Sequence, residues 1–225
     1  MKDLTIFVLG HEKEAIKKTS SILKEKSFLK IVPVNLNDLE LPDYPEKYNS
    51  KFLSENRFFL CDQDIQTEYV GLISHSWPKK YNRFNLKIVP DRVLQSIDKN
   101  KVIAPATTNN WLGYTEESHP GMYCYLEELA SFMNYKNWNC KITFWCNTFF
   151  CHRDAYYNFI KDWRLMFNYL HLRYQMNFNY GCVKEYSDYQ RKPAYILERA
   201  TMMHFSESSL EVEQYNCKLK KIMKI

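Results

Sequence analysis

The chain has 225 residues, of which 45% are hydrophobic and 16% aromatic, with only 5 glycines and 8 prolines. This composition excludes a disordered or low-complexity protein and predicts one well-buried globular core. The formal net charge of +5 suits anionic ligands, but no basic run is long enough to form a nucleic-acid-binding arm.

The cysteines and the hydropathy pattern both favour a reducing, intracellular setting. Seven cysteines, an odd number, include no Cys-x-x-Cys pair, which indicates reduced thiols. Cys140, Cys146, Cys151 and His152 lack the ligand spacing of structural zinc sites. No apolar stretch approaches the ~18 residues of a membrane span, and no signal-peptide segment is recognised, so we expect a cytoplasmic protein.

The first 35 residues predict a strand, a helix and a second strand. Thr5–Leu9 is a short apolar strand, residues 12–26 carry apolar side chains at helical spacing, and Leu29–Val34 is apolar again. Strand, helix and strand over about thirty residues form a βαβ unit, which implies a parallel pair. The chain is therefore expected to start an α/β fold.

The remaining elements continue this alternation. Further helices are predicted over Asn49–Ile65, Pro90–Ile97, Tyr123–Met133, Tyr156–Tyr174 and Pro193–Met203, and further strands over Tyr69–Ile73, Val102–Ala104 and Lys141–Phe150. The aromatic stripe of Tyr156–Tyr174 predicts a core-facing helix. Pro105–Met122 has no periodicity and is predicted to be a functional loop. We expect one α/β domain over residues 1–205, with a mostly parallel central sheet flanked by helices, and a Lys-rich helical tail over 206–225.

The segment Glu68–Tyr81 is the most informative for function. Its apolar strand ends in Ser74-His75-Ser76-Trp77, which a proline and the pair Lys79-Lys80 follow. Ligands of α/β sheets bind beyond the carboxyl ends of the strands, so these side chains predict a pocket for a polar, anionic ligand. The alternative is an ordinary strand that runs into a solvated basic turn.

Four blocks, in order, resemble a known family. The blocks are Ser54–Asn56, Glu68–His75, Cys146–Trp163 and Arg191–Arg199. They resemble motifs of the small capsular-polysaccharide and lipopolysaccharide glycosyltransferase-like proteins, in which a strand reading roughly "yiGlcHyrr" and a late helix reading "R-x-x-gfLsERL" recur. The resemblance covers about residues 50–205. It implies a Rossmann-like A-type glycosyltransferase fold, a nucleotide-sugar donor and a glycan or glycoconjugate acceptor.

One departure from that fold concerns the metal. Many A-type transferases end the central strand with Asp-x-Asp, whose carboxylates hold Mn²⁺ or Mg²⁺ against the donor diphosphate. Here the one such motif, Asp62-Gln-Asp64, precedes the central strand, and Ser74-His75 occupies the strand end. We therefore predict a donor site that needs no metal, in which cationic side chains neutralise the diphosphate. Mn²⁺ or Mg²⁺ at Asp62 and Asp64 is the alternative.

Donor-site residues are predicted from strand ends and from the helix that follows the second strand. Strand ends bring nucleotide-binding groups together in doubly wound sheets. The predicted donor-binding residues are Gly10, His11, Asn35, Asn56, Arg57, His75, Trp77, Lys79 and Lys80. For Asn56 and Arg57 a plain helix surface is the alternative, and a lone histidine such as His75 is otherwise a hydrogen-bonded structural group.

Catalytic and acceptor residues are predicted from chemistry. If a carboxylate deprotonates the acceptor hydroxyl, Glu198 and Asp154 are the candidates. Trp111 and His119 suit sugar-ring contacts, and Asn147 is either a sugar reader or a satisfied core amide. Arg199 is also predicted to bind the acceptor. Glu198 and Arg199 are adjacent on one helix and cannot both face the same way, so one of them is expected to anchor the helix and the other to point to the cleft.

Two other classes of function stay open. One is a non-catalytic protein that binds a nucleotide sugar as a scaffold, and the other is a basic module for anionic ligands. Nucleic acid is not expected as a partner, because most aromatic residues fall at core spacing instead of alternating with basic residues on one face. Peripheral membrane association is left open.

Overall fold

The central sheet has six strands. The computed structural model describes residues 2–23, 26–41, 43–76, 86–104, 107–139, 142–144, 147–182 and 191–214. Its strands are β1 (Leu4–Gly10), β2 (Leu29–Asn35), β3 (Tyr69–Ser74), β4 (Lys101–Ala104), β5 (Thr107–Thr108), β6 (Thr143–Phe144), β7 (Phe149–His152) and β8 (Glu211–Gln214). The sheet order is β2-β1-β3-β7-β4-β8, and β5 pairs with β6 separately.

Strand direction confirms the predicted α/β class with a mostly parallel sheet. β1 is parallel to β2 and β3, and β4 is parallel to β8. β7 is antiparallel to both β3 and β4, so β4 and β8 run in the direction of β1, β2 and β3. The register Leu4 to Leu29 and Gly10 to Asn35 confirms the parallel βαβ unit of the first 35 residues.

Helices lie on both faces of the sheet. They are α1 (Lys13–Leu23), α2 (Ser50–Leu53) with the 3-10 helix Ser54–Leu60, the 3-10 turn Leu86–Ile88 with α3 (Val89–Ser96), α4 (Trp111–Ser118), α5 (Tyr123–Met133), α6 (Arg153–Tyr174) and α7 (Lys192–Glu207). No helix among the described residues is long and apolar enough to cross a membrane.

Alternating side chains of β1 build two cores. Ile6 and Val8 pack in the core that includes Ile16 of α1 and Val93 of α3. Phe7 packs on the opposite face, in the larger core that α6 and α7 line. Because successive strand side chains point to opposite faces, an all-apolar strand is covered on both sides. This explains why the sequence of β1 shows no polar alternation.

Helix α6 confirms the prediction from the aromatic stripe. Seven of its side chains are buried: Tyr156, Phe159, Ile160, Trp163, Met166, Phe167 and Leu170. The helix begins after His152, whose Nδ1 accepts a hydrogen bond from the backbone N–H of Asp154. That bond satisfies one of the N–H groups that a helix start leaves unpaired.

Three predicted elements differ in the structure. Residues 105–122 are not one loop, because α4 begins at Trp111, whose buried indole anchors the helix. The predicted strand Lys141–Phe150 is two short strands, since Asn147 between them has φ +46°, a left-handed conformation that a strand does not contain. The helix predicted from Asn49 ends as a 3-10 helix at Leu60.

The C-terminal segment also needs correction. Helix α7 extends to Glu207, and Glu211–Gln214 is strand β8 instead of part of a helical tail. Val212 pairs with Val102 of β4, and backbone pairing at the sheet edge favours the extended conformation there. Residues 215–225 lie outside the described residues, and the division of the chain at residue 205 stays a prediction.

Candidate functional site

The topology brings several polar segments to one edge of the sheet, at which β1, β2 and β3 end. We call it the carboxyl edge. Gly10, Asn35 and Ser74 are the last residues of these three strands. The backbone N–H of Leu36 donates to Gly10 O at 2.6 Å, and that of His75 donates to Leu9 O at 2.7 Å. The first residues beyond the strands are therefore held in place by the backbone, at the edge where α/β sheets bind their ligands.

His75 packs directly on β1. A Cβ atom on Gly10 would lie 2.5 Å from His75 Nδ1, so only glycine lets the imidazole lie against this strand. His75 Nδ1 is 3.3 Å from Leu9 O, and the His11 and His75 rings meet edge to face with centroids 4.9 Å apart. Burial, and next the neighbouring His11, lower the pKa of His75, while Glu55 opposes this. The structure thus brings the predicted residues Gly10, His11 and His75 together.

A carboxylate that the sequence analysis did not select also lies at the carboxyl edge. Glu55 Oε1 accepts a hydrogen bond from Ser74 Oγ at 2.8 Å, and Glu55 Oε2 accepts one from Ser54 Oγ. Ser74 Oγ is also 2.9 Å from Ser76 Oγ. Glu55 stands in the middle of the Ser54–Asn56 block that carried the family resemblance, and this was the one signal that pointed to it.

Asn56 and Asn147 form a buried clip beside this edge. Asn56 is 1% exposed, its Nδ2 donates to Leu53 O and to Ala194 O, and its Oδ1 accepts from Asn147 Nδ2 at 3.0 Å. Asn147 Oδ1 is buried and has no partner among the described residues. The amide of Asn56 therefore ties the 3-10 helix to α7 and to the start of β7, instead of facing a donor as predicted.

Arg57 and Asn35 shape the chain after β2. Arg57 donates from its guanidinium to Leu36 O, at 2.6 Å, and to Leu39 O. Asn35 Oδ1 accepts from the backbone N–H of Asn37 at 3.2 Å. Asn35 lies at the carboxyl edge as predicted, whereas the hydrogen bonds of Arg57 fix the loop beside it.

Glu198 and Arg199 contact each other. Arg199 Nη1 is 3.1 Å from Glu198 Oε2, although adjacent helical residues were expected to point apart. The long guanidinium side chain reaches back, and Arg199 is 3% exposed with Nε donating to Thr115 Oγ1 of α4. Arg199 thus anchors α7 to α4, and Glu198, whose side chain is 18% exposed, is the partner closer to solvent.

Asp154 lies at the opposite edge of the sheet. It follows His152, which pairs with Tyr69 at the start of β3, whereas His75 follows the end of β3. Six residue steps of a strand separate Tyr69 from His75 by about 20 Å. The structure therefore places Asp154, a candidate base for the acceptor hydroxyl, away from the carboxyl edge, because the antiparallel β7 carries it to the other edge.

Asp62 and Asp64 also precede β3 and lie away from the carboxyl edge. Asp62 Oδ1 is 2.7 Å from Arg164 Nη1 on α6, and Asp64 Oδ1 accepts a hydrogen bond from Gln66 Nε2. The same face of α6 borders an open cavity of about 550 Å³ that Asp62, Gln63, Tyr157 and Arg164 help to line. The two carboxylates thus bond to protein groups around the entry to β3.

Trp111 and His119, which were predicted to contact the acceptor, are less accessible than expected. Trp111 is 1% exposed and packs against Trp138, with ring centroids 5.8 Å apart, so its ring faces do not receive a sugar. His119 is half-buried, stacks on Tyr195 at 4.6 Å and places Nδ1 3.3 Å from Cys182 Sγ. Burial raises the pKa of the Cys182 thiol. Trp77, Lys79 and Lys80, which were predicted to bind the donor, lie outside the described residues. So do Cys140 and Cys146.

Comparison with known proteins gives one distant structural likeness. The fold is similar to the apo structure of WbbM, a bifunctional glycosyltransferase, with a TM-score of 0.47 and 11% sequence identity. The match covers 95% of this chain and 44% of that one, so the chain spans less than half of the length of WbbM. No protein-family model matches the chain, and no curated protein matches it.

Proposed function

We propose that this chain transfers a sugar from a nucleotide-sugar donor to a glycan or glycoconjugate acceptor. The observation that carries the proposal is the meeting of His11, Asn35, Glu55 and His75 at the carboxyl edge. Nucleotides bind at this edge in doubly wound sheets, because loops that diverge from neighbouring strands leave a crevice there. The ordered sequence blocks that resemble glycosyltransferase-like proteins support the same reaction.

Four residues at the edge have proposed roles. Asn35 and Gly10 lie beside the nucleoside, where a side-chain amide and an open backbone suit a ribose and base. His75 contacts the donor phosphates or the sugar. Glu55 joins Glu198 as a candidate base for the acceptor hydroxyl, because its carboxylate already accepts hydrogen bonds from the Ser54 and Ser74 hydroxyls.

The donor experiment tests the binding step. UDP-, GDP-, CDP- and dTDP-sugars are added to the full chain, and its melting temperature is measured. We expect at least one donor to raise it, because a ligand that binds the native state stabilises that state by mass action. If none of the four classes raises the melting temperature, the proposal is wrong.

A pair of variants tests the catalytic step. Glu55→Gln removes one negative charge at the carboxyl edge, and Asp154→Asn makes the matching change at the opposite edge. We expect donor hydrolysis to fall about a hundredfold in the first variant, in the range for loss of a general base, and to stay at the wild-type rate in the second. Equal loss in both variants would contradict the assignment of the edge.

The prediction that no metal is needed depended on Lys79 and Lys80. It stays a proposal, with Mn²⁺ or Mg²⁺ as the alternative. Activity with the donor that binds should survive EDTA if side-chain cations neutralise the diphosphate. Loss in EDTA with recovery in Mn²⁺ would overturn it.

A second candidate is a scaffold that binds a nucleotide sugar without catalysis. It is favoured by one observation, namely that Ser74 and His75 occupy the strand end at which Asp-x-Asp stands in many A-type transferases. Donor binding without hydrolysis or sugar transfer would favour the scaffold. Binding of an oligonucleotide with no response to any donor would instead select the basic module.

A further inference from the structure

Three metal-ligating side chains converge where β1 and β3 end. His11 and Glu12 follow β1 directly, and His75 follows β3, its parallel neighbour. One ligand atom from each of the three residues lies within 4.8 Å of the other two. Tetrahedral zinc with bonds of about 2.0–2.1 Å keeps its ligand atoms about 3.3 Å apart, so small side-chain rotations close the site. His11 and Glu12 are exposed, which leaves their side chains room to rotate.

The hydrogen bond of His75 prepares its ring for metal binding. A carbonyl oxygen only accepts, so the contact of Nδ1 with Leu9 O places the proton on Nδ1 and leaves the lone pair on Nε2. Metal-bound histidines commonly donate their other ring N–H to a carbonyl or carboxylate in this way. Gly10, which has no Cβ, allows this position of the ring.

The backbone of His11 is fixed as well. Its carbonyl accepts a hydrogen bond from Asn37 Nδ2 at 3.1 Å, and the backbone of Gly10 is bonded to Leu36. Glu12 O accepts from the N–H of Ile16, so the residue stands at the start of α1. The three Cα positions are thereby set by β1, β3 and α1, and only side chains need to move.

We propose that His11, Glu12 and His75 bind a divalent transition-metal ion of the zinc class. Two imidazoles and one carboxylate suit zinc and its neighbours, whereas Mg²⁺ and Ca²⁺ favour sets of oxygen ligands. Three protein ligands leave a coordination position open to water or to a bound anion. The proposal concerns metal binding alone and does not depend on sugar transfer. It uses His11 and His75, which the proposed function assigns to a donor site without metal, so the EDTA experiment also tests which of the two assignments holds.

The experiment titrates the metal-free full chain with Zn²⁺ by calorimetry and with Co²⁺ by visible absorption. We expect one equivalent to bind, and His11→Ala and Glu12→Gln each to weaken binding about tenfold or more. Glu14→Gln is the matched control, because it removes the same charge from the exposed start of α1 and should bind as the wild type does. Both ligand changes fall on exposed residues, so the variants should fold.

Four results would overturn the proposal. The first three are no stoichiometric binding, wild-type affinity in both ligand variants, and equal loss in Glu14→Gln. The fourth is a strong thiolate-to-cobalt absorption band, since the metal would then be bound by cysteines. The donor melting experiment, run both in EDTA and with Mn²⁺, Mg²⁺ or Zn²⁺ added, separates this proposal from the proposed function. If a donor raises the melting temperature but no metal binds, only the metal site is contradicted. If metal binds but no donor raises the melting temperature, only sugar transfer is contradicted.

Discussion

Two groups of histidine and carboxylate side chains differ in how their polar atoms are used. The open cluster is His11, Glu12 and His75 at the carboxyl edge. The closed cluster is Tyr135, Asp162 and His204, which joins the end of α5 to α6 and α7. In the closed cluster, Tyr135 OH donates to Asp162 Oδ2 at 3.0 Å, and His204 Nδ1 donates to the same oxygen at 3.2 Å.

The difference shows that residue type alone does not identify a site. In the closed cluster, Phe159 packs edge-on against His204, and the aspartate accepts two hydrogen bonds from within the protein. Burial raises the pKa of Tyr135 strongly, with Asp162 adding to it, so the phenol stays protonated. In the open cluster, two of the three side chains are exposed. The closed cluster therefore holds helices together, and the open cluster is the one with atoms to offer a ligand.

The largest expected effect is on stability, in the closed cluster. His204→Ala leaves a cavity beside Phe159 and removes a hydrogen-bond partner from Asp162, which together should cost about 2–4 kcal/mol of the free energy of unfolding. Urea denaturation of variant and wild type measures the difference. A loss below about 0.5 kcal/mol, the usual range for surface changes, would show that the closed cluster does not hold the helices.

Gly10→Ala should have the next largest effect, in the open cluster. The new Cβ would lie 2.5 Å from His75 Nδ1, so the imidazole or the strand must shift. Overpacking of this kind costs about 1–3 kcal/mol. Urea denaturation gives the stability loss, and the Zn²⁺ titration should show weaker binding in the same variant. An unchanged stability together with unchanged Zn²⁺ affinity would mean that His75 does not rest on this glycine.

Much of the fold follows from the sequence because strong periodic patterns carry it. The stripe from Tyr156 to Leu170 predicts α6, and the apolar runs of β1 and β3 predict buried strands. The errors fall where long-range contacts decide the local conformation. Strand β8 forms because β4 offers an edge more than 100 residues earlier in the chain, and the short α4 begins at Trp111, whose indole finds its pocket beside Trp138.

The candidate site was predictable only in part. Strand ends predicted that Gly10, Asn35 and His75 lie together, and the structure places all three at the carboxyl edge, because that edge follows from a parallel sheet. The sequence did not show that Asp154 lies away from this edge, because no local pattern shows that β7 runs antiparallel to β3. Glu55 was not selected, because packing and not sequence proximity brings Ser74 to its carboxylate.

A pH experiment sharpens the comparison with a smaller effect. The hydrogen bond from His204, and less so that from Tyr135, hold the pKa of Asp162 below its usual range. A carboxylate with a lowered folded-state pKa adds stability that is complete above its unfolded pKa of about 3.9 and is lost as the pH falls through the folded value. The stability difference between wild type and Asp162→Asn should thus be constant at neutral pH and shrink below about pH 4. A stability difference between the two proteins that grows as the pH falls would contradict this prediction.

The smallest expected change in stability is at the exposed members of the open cluster. His11→Ala and Glu12→Gln remove side chains that are exposed and that make few contacts with the core, so each should change the free energy of unfolding by less than about 0.5 kcal/mol without metal. With Zn²⁺ present, the wild type should gain stability in proportion to its affinity, and both variants should lose that gain. Urea denaturation without Zn²⁺ measures the change in the free energy of unfolding, and denaturation with Zn²⁺ measures the stability gained from metal binding. A large loss of stability in the absence of metal would instead show that the open cluster is a structural contact like the closed one. Removal of a group that serves only to bind a ligand should lower stability only when that ligand is present.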